Sequence, residues 1–123
     1  MNETSFQVFR GTRVLTEQLD SNSTDSKGRF EGYRLSVSRY DGLNVNSGIR
    51  FHGEAESTWR RTEADPQIVF FTVFVQKTKS GRDFGAGRHA EYFHTEAEAI
   101  AFGRAEMARK LAALNRKAAR VAQ

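Results

Sequence analysis

The clearest pattern in the chain is an alternation of apolar and polar residues over its first two-thirds. It is strongest in residues 33–38 and returns in residues 49–60, with a weaker version in residues 6–19. In this last segment the residues predicted to face the core are Phe6, Val8, Val14 and Leu19. Apolar residues at every second position lie on one face of a strand. Each segment is therefore predicted to be a strand with one face in the core and one in solvent, as in an antiparallel sheet.

Residues 68–75 break this pattern because they are apolar on both faces. Their short length and their β-branched and aromatic content predict a strand rather than a helix. One face can pack on a helix, so the other face needs either another layer of the same chain or a second subunit. The second alternative predicts a homo-oligomer, in which Phe70 and Phe74 contact the partner.

Two connections are indicated between the strands. Residues 20–28 contain no apolar side chain and are predicted to form a solvated loop. Ser80-Gly81 is a dipeptide typical of a tight hairpin turn, with a return strand expected over residues 88–93.

Thr95-Glu-Ala-Glu98 is a capping box that predicts the start of a helix over about residues 95–117, followed by a short basic tail at 118–123. A projection at about 100° per residue places Arg104 within the apolar face and Phe102 on the polar face. The predicted apolar face consists of Ala97, Ile100, Ala101, Ala105, Ala108, Leu111, Ala112 and Leu114. The strands at about 5–94 and this helix predict one α+β domain over residues 1–123. Its architecture is an antiparallel meander of four or five strands with one long C-terminal helix packed on one face.

Composition narrows the classes of function. The chain has 123 residues and no Cys, which excludes disulfides, thiolate metal sites and a cysteine nucleophile. No apolar run approaches the roughly 20 residues of a membrane span, and no signal segment opens the chain. We therefore expect a cytoplasmic protein with no membrane partner.

The positive charge is concentrated in two places. The net charge is +4, and the excess lies in residues 77–88 and in the helix end at 104–123. Clustered cations attract phosphates, acidic proteins or anionic surfaces, although a merely solvated face is the alternative. For nucleic acid, the predicted phosphate contacts are Lys77, Lys79, Arg82, Arg88, Arg109, Arg116 and Arg120, and the aromatic candidates for base stacking are Trp59, Tyr92 and Phe102.

Other chemistry is poorly supported by the sequence. The histidines His52, His89 and His94 lack the spacing of metal ligands, and no nucleophile motif or nucleotide-binding glycine loop is complete. Glu54 and Glu56 are expected to form ion pairs. Arg104 is expected either to snorkel from a narrow interface or to pair with a sheet carboxylate such as Glu54 or Glu56. We therefore expect no catalytic residues, no metal and no cofactor, with a small-ligand site around His52, Glu54 and Arg104 as a minor alternative.

The chain resembles small bacterial domains of unknown function in three segments. These are residues 30–40, residues 68–75 and the sequence Tyr92-Phe-His-Thr-Glu-Ala-Glu-Ala-Ile100, which leads from the last strand into the helix. The element order is also similar to the PC4/Whirly type of single-stranded-DNA-binding fold, in which strands precede a helix and subunits dimerise. The resemblance covers about residues 29–114 and implies a non-catalytic nucleic-acid-binding module. The alternative is a homo-oligomeric protein-interaction or regulatory module, in which Phe102 joins Phe70 and Phe74 as a subunit contact.

Overall fold

The computed structural model describes residues 11–42, 48–61, 65–85 and 91–122. Its strands are Thr12–Thr24 (β1), Phe30–Asp41 (β2), Gly48–Ile49 (β3), Arg60–Arg61 (β4), Val69–Lys79 (β5), Arg82–Asp83 (β6) and Glu91–Phe93 (β7). One long helix, Glu96–Ala122 (α1), ends the chain, and a single 3-10 turn at Glu56–Thr58 lies between β3 and β4. The main sheet is antiparallel with the order β1-β2-β5, and both β6 and β7 pair with β5. The predicted α+β architecture is confirmed.

The core lies between the sheet and α1. Alternate residues of β2 and β5 point towards the helix, so the two apolar rows meet it together. The cluster consists of Leu35, Val37, Phe71, Val73, Val75, Phe93, Ala99 and Met107. Gly103 lets the helix come close to the sheet, because a Cβ at this position would overlap the Leu35 side chain.

A second apolar cluster covers part of the opposite face of β5. Phe70 is only 2% exposed and packs with Ile49 and Phe51, and Tyr40 and Tyr92 border the group. The prediction that β5 is apolar on both faces is confirmed, and its second face is covered here by the same chain. Phe70, a predicted oligomer contact, is thus enclosed by residues of its own chain.

The predicted loop at 20–28 is shorter in the structure. β1 continues to Thr24, and the turn proper comprises residues 25–29. The strand accepts polar residues here because Ser21 donates to the Glu31 carbonyl at 2.7 Å and Ser23 donates to the Glu31 carboxylate at 2.6 Å. Leu19, a predicted core position, is 51% exposed. Phe6 and Val8 lie outside the described residues.

The prediction of a strand over residues 49–60 is wrong. Gly48–Ile49 pairs with Arg60–Arg61, and Phe51 forms a single bridge to Tyr92. A turn with Gly53 at φ 86° lies between the two short strands. The Glu54 carboxylate accepts the Phe51 amide at 3.0 Å and a guanidinium hydrogen of Arg60 at 3.2 Å. Such local bonds compete with a strand ladder, and they fold this segment into a compact loop.

The capping box is confirmed. The Glu98 amide donates to Thr95 Oγ1 at 3.1 Å, and the Thr95 hydroxyl donates to the Glu98 carboxylate at 2.9 Å. The helix continues to Ala122, so the predicted tail at 118–123 is helical as far as it is described. Among the described residues, no helix is long and apolar enough to cross a membrane.

The predicted apolar face of the helix is correct for Ile100, Leu111 and Leu114, which are buried or packed against the core, and wrong for its alanines. The buried residues are Ala99, Gly103, Met107 and Leu114, whereas Ala97, Ala101, Ala105, Ala108 and Ala112 are exposed. Alanine contributes little contrast to a hydrophobic projection, and the glycine that permits close packing carries no apolar weight. The projection of the sequence therefore did not identify the most deeply buried residues of the helix.

Candidate nucleic-acid interface

The first basic cluster lies on the hairpin between β5 and β6. Lys79 pairs in register with Arg82, and Ser80 and Gly81 form the turn with φ values of 50° and 78°. Both residues are in the left-handed region that this hairpin turn requires, and glycine occupies it without steric cost. The predicted turn is confirmed. The basic residues that flank it, Lys77, Lys79 and Arg82, lie at one end of the sheet.

An aromatic ring accompanies these cations. The Phe84 ring centroid lies 3.8 Å from Lys79 Nζ and 5.7 Å from Lys77 Nζ, and the residue is 42% exposed. The hairpin holds Phe84 opposite Lys77, because the Phe84 amide donates to the Lys77 carbonyl at 2.9 Å. Sequence reasoning missed Phe84. The signal available was its position three residues after the predicted turn, directly across from Lys77 once the hairpin register is drawn.

Lys79 is also engaged within the protein. Its ammonium lies 3.3 Å from the Asp25 carboxylate, and its side chain is only 15% exposed. The backbone amide of Arg29 lowers the pKa of Asp25 well below its usual range, and the Lys27 amide, the Arg29 guanidinium and Lys79 act in the same direction. Lys79 therefore anchors the hairpin to the β1–β2 turn, and less of its charge is available to a ligand.

The fold brings the second basic cluster to the same end of the molecule. Lys117 of α1 lies 3.2 Å from the Glu31 carboxylate, and Glu31 pairs in register with Lys79. Nearby, the Asn22 amide donates to the Asn115 side chain at 2.7 Å. About two turns earlier along the helix, Lys110 Nζ lies 5.7 Å from the ring of Tyr33, which pairs in register with Lys77. We call this surface the basic end. It comprises Lys77, Lys79, Arg82, Lys110 and Lys117, together with the exposed Arg116 and Arg120, which lie within one helical turn of Lys117.

The cations of the basic end differ in their availability. Arg82, Arg116 and Arg120 are exposed, and none of them forms an ion pair within the part of the chain that the structure describes. Arg109, a predicted phosphate contact, is held 2.7 Å from Glu106, which raises the pKa of its guanidinium through a side-chain hydrogen bond. Arg88 lies outside the described residues.

The three aromatic residues predicted to stack on bases do not lie at the basic end. Phe102 is half-buried, with its ring 5.1 Å from that of Phe93 and 4.7 Å from that of His52. Tyr92 is half-buried against Phe70 at 5.7 Å, and this burial raises the pKa of its hydroxyl. Trp59 is 52% exposed and lies beside Arg50, next to the β3–β4 ladder. Phe102, also a predicted oligomer contact, thus has much of its ring packed within its own chain.

The remaining predicted oligomer contact, Phe74, is half-buried on the face of the sheet opposite the helix. It pairs in register with Ser36, and polar side chains surround it rather than an apolar patch.

Arg104 pairs with a sheet carboxylate as predicted, but the partner is Glu17 and not Glu54 or Glu56. Arg104 and Glu17 approach to 2.6 Å across the helix–sheet boundary. The hydrogen bond from Arg104 lowers the pKa of Glu17. Because Arg104 is exposed and lies over β1, the structure does not bring it together with His52 and Glu54.

Two of the histidines lie against other side chains of the protein. His52 lies 3.6 Å from Glu91, and the His94 ring stacks on Phe51 with centroids 3.6 Å apart. Among the described residues, no group of three or more His, Asp or Glu side chains could hold a metal. His89 and the side chain of Glu56 lie outside the described part of the chain.

A comparison of the chain with protein-family models, with curated proteins and with solved structures gave no match.

Proposed function

We propose that this protein is a non-catalytic module that binds single-stranded nucleic acid at the basic end. One observation carries the proposal: cations from two segments far apart in the sequence converge beside an exposed aromatic ring. The convergence is fixed by the Lys117–Glu31 contact and by the register of Glu31 with Lys79.

The exposure and the ion pairs of each cation indicate whether it contacts the ligand or holds the site together. Arg82 on the hairpin and Arg116 and Arg120 on the helix are exposed and are the cations best placed to contact phosphates. Lys79 and Lys117 hold the two segments together through their carboxylate partners. The internal pairs thus fix the geometry, and the exposed arginines supply the charge.

Phe84 favours a single strand as the partner. An unpaired base can stack on an exposed ring, whereas the bases of a duplex are already stacked on one another, and such stacking contributes about 1–3 kcal/mol per base. The ring is 42% exposed, and Lys77 and Arg82 lie on the same hairpin, where they can meet the adjacent phosphates.

Fluorescence anisotropy with labelled single- and double-stranded oligonucleotides, measured over a range of salt concentrations, tests the proposal. We expect the double variants Lys77→Gln/Arg82→Gln and Arg116→Gln/Arg120→Gln each to weaken binding. Each should also lower the salt slope, by about one for every lost phosphate contact. Phe84→Ala should weaken single-strand binding by about fivefold or more while leaving the salt slope unchanged, because stacking releases no counterions.

The matched control is Arg13→Gln/Arg39→Gln, which removes the same charge from the opposite end of β1 and β2. An equal loss of affinity in this control would show that only the overall charge matters, and it would overturn the assignment. Loss of all binding by the unmodified protein at physiological salt would also overturn the assignment of the basic end as a nucleic-acid site.

A further inference from the structure

The face of the sheet opposite the helix contains a depression whose origin lies in side-chain size. Short side chains, Ser36 and Ser38 on β2 and Thr72 on β5, occupy neighbouring positions, because Ser38 pairs with Thr72 and Ser36 pairs with Phe74. Longer side chains surround them, and the result is a cavity of about 320 Å³. This volume lies at the lower end of the roughly 300–1,000 Å³ of small-ligand sites.

One wall of the cavity presents a guanidinium that has no carboxylate partner. Arg13 donates from Nε to Ser38 Oγ and from Nη1 to Thr16 Oγ1, both at 3.1 Å. These hydroxyls fix the orientation of the group and use two of its five N–H donors. Within the described part of the chain Arg13 forms no ion pair, so a charged and oriented group with free donors faces the cavity.

The opposite wall is electrically balanced. Arg34 forms an ion pair with Asp83, and both line the cavity. Phe74 lies between the two walls and offers a flat apolar surface among hydroxyl groups. The cavity thus combines one unbalanced positive charge, the aromatic rings of Phe74 and Tyr40 and several hydrogen-bonding groups.

We propose that this cavity binds a small planar molecule that carries a single carboxylate, an aromatic monocarboxylate being the simplest member of the class. The ring of the ligand stacks on Phe74, and its carboxylate accepts the free N–H groups of Arg13 in the forked geometry that arginine and carboxylates share. A dianion fits less well because only one guanidinium is unbalanced and Asp83 repels further negative charge. The site is separate from the basic end and does not depend on the function proposed there.

Two-dimensional amide NMR with benzoate as the probe tests the proposal, with benzyl alcohol as the neutral analogue and phenyl phosphate as the dianion. We expect saturable benzoate shifts centred on Ser36, Ser38 and Thr72, with weaker binding of both analogues. Arg13→Gln should weaken benzoate at least about tenfold, because a charge-assisted pair is lost. Phe74→Leu should weaken benzoate and benzyl alcohol alike.

Arg39→Gln is the matched control, since Arg39 directly follows Ser38 but projects from the other face of β2. Unchanged benzoate affinity in this variant, together with the loss in Arg13→Gln, would support the site. Equal weakening in both variants, tighter binding of phenyl phosphate, or shifts that do not saturate or that map to the basic end would overturn it. The amide spectrum of each variant also reports whether the fold is intact.

Discussion

Glu31 is the residue on which the geometry of the basic end depends. Its side chain is 7% exposed, accepts a hydrogen bond from Ser23 at 2.6 Å and meets Lys117 at 3.2 Å. The Ser23 hydrogen bond is the main cause of the lowered pKa of this carboxyl, and Lys117 adds to it. A buried carboxylate of this kind is stable only while its partners remain in place.

We expect Glu31→Gln to lower the free energy of unfolding by about 1–3 kcal/mol at neutral pH, because a buried charge-assisted contact is lost. The pKa of Glu31 in the folded state lies below its ordinary value of 4.5. Its ionised form therefore stabilises the fold above pH 4.5, and this contribution disappears as the pH falls through the lowered folded-state value. Urea unfolding of both proteins at neutral and acidic pH measures the difference.

Comparison of the two proteins at each pH cancels the titration of the other carboxyl groups. The gap in unfolding free energy should narrow as the pH falls below 4.5. A gap that stays constant down to the lowest pH at which both proteins fold would show that packing, and not charge, accounts for the effect of Glu31.

Individual partners were the part of the site least accessible to sequence reasoning. An arginine within the apolar face of a helix indicates that a carboxylate lies nearby, and Arg104 does have a carboxylate partner. Which carboxylate it meets depends on how the helix crosses the sheet, and that crossing places Glu17 below it. Phe84 was missed for a related reason, since its proximity to Lys79 follows from a hairpin register and from no spacing motif.

At the scale of elements, the capping box gives a direct test of why α1 begins where it does. We expect Thr95→Ala to lower the free energy of unfolding by about 1 kcal/mol, because the Glu98 amide loses its acceptor at the helix start. Thr95→Ser keeps the hydroxyl and should change stability by much less. Urea unfolding followed by far-UV circular dichroism compares them, and equal losses in both variants would assign the effect to the Thr95 methyl group.

Elements encoded by local chemistry were predicted well. The turn at Ser80-Gly81, the doubly apolar β5 and the helix start depend on neighbours in the sequence, and all three are confirmed. The segments 20–24 and 49–60 were not predicted, for opposite reasons. The first is a polar strand held by hydrogen bonds to Glu31, and the second is an alternating segment that Glu54 folds into a loop.

At the scale of the whole molecule, the sequence located both basic segments but could not show that they meet. Their meeting depends on the direction of α1 along the sheet, which brings its C-terminal half over the end of β2 that carries Glu31. The same docking covers one face of β5, while Ile49 and Phe51 cover Phe70 on the other face. The apolar clusters on both faces are thus assembled within one chain.

This intramolecular packing leads to a prediction about how the protein unfolds. If the core is complete in one chain, the midpoint of urea unfolding should be independent of protein concentration, whereas the midpoint of an obligate oligomer rises with concentration. Phe70→Leu should lower the midpoint through poorer packing, by about 1 kcal/mol in unfolding free energy and equally at low and high concentration, because Phe70 is 2% exposed within its own protomer. Light scattering on the same samples gives their mass. A midpoint that rises with concentration, or a mass that changes in the variant, would show that subunit contacts contribute to the stability of the fold.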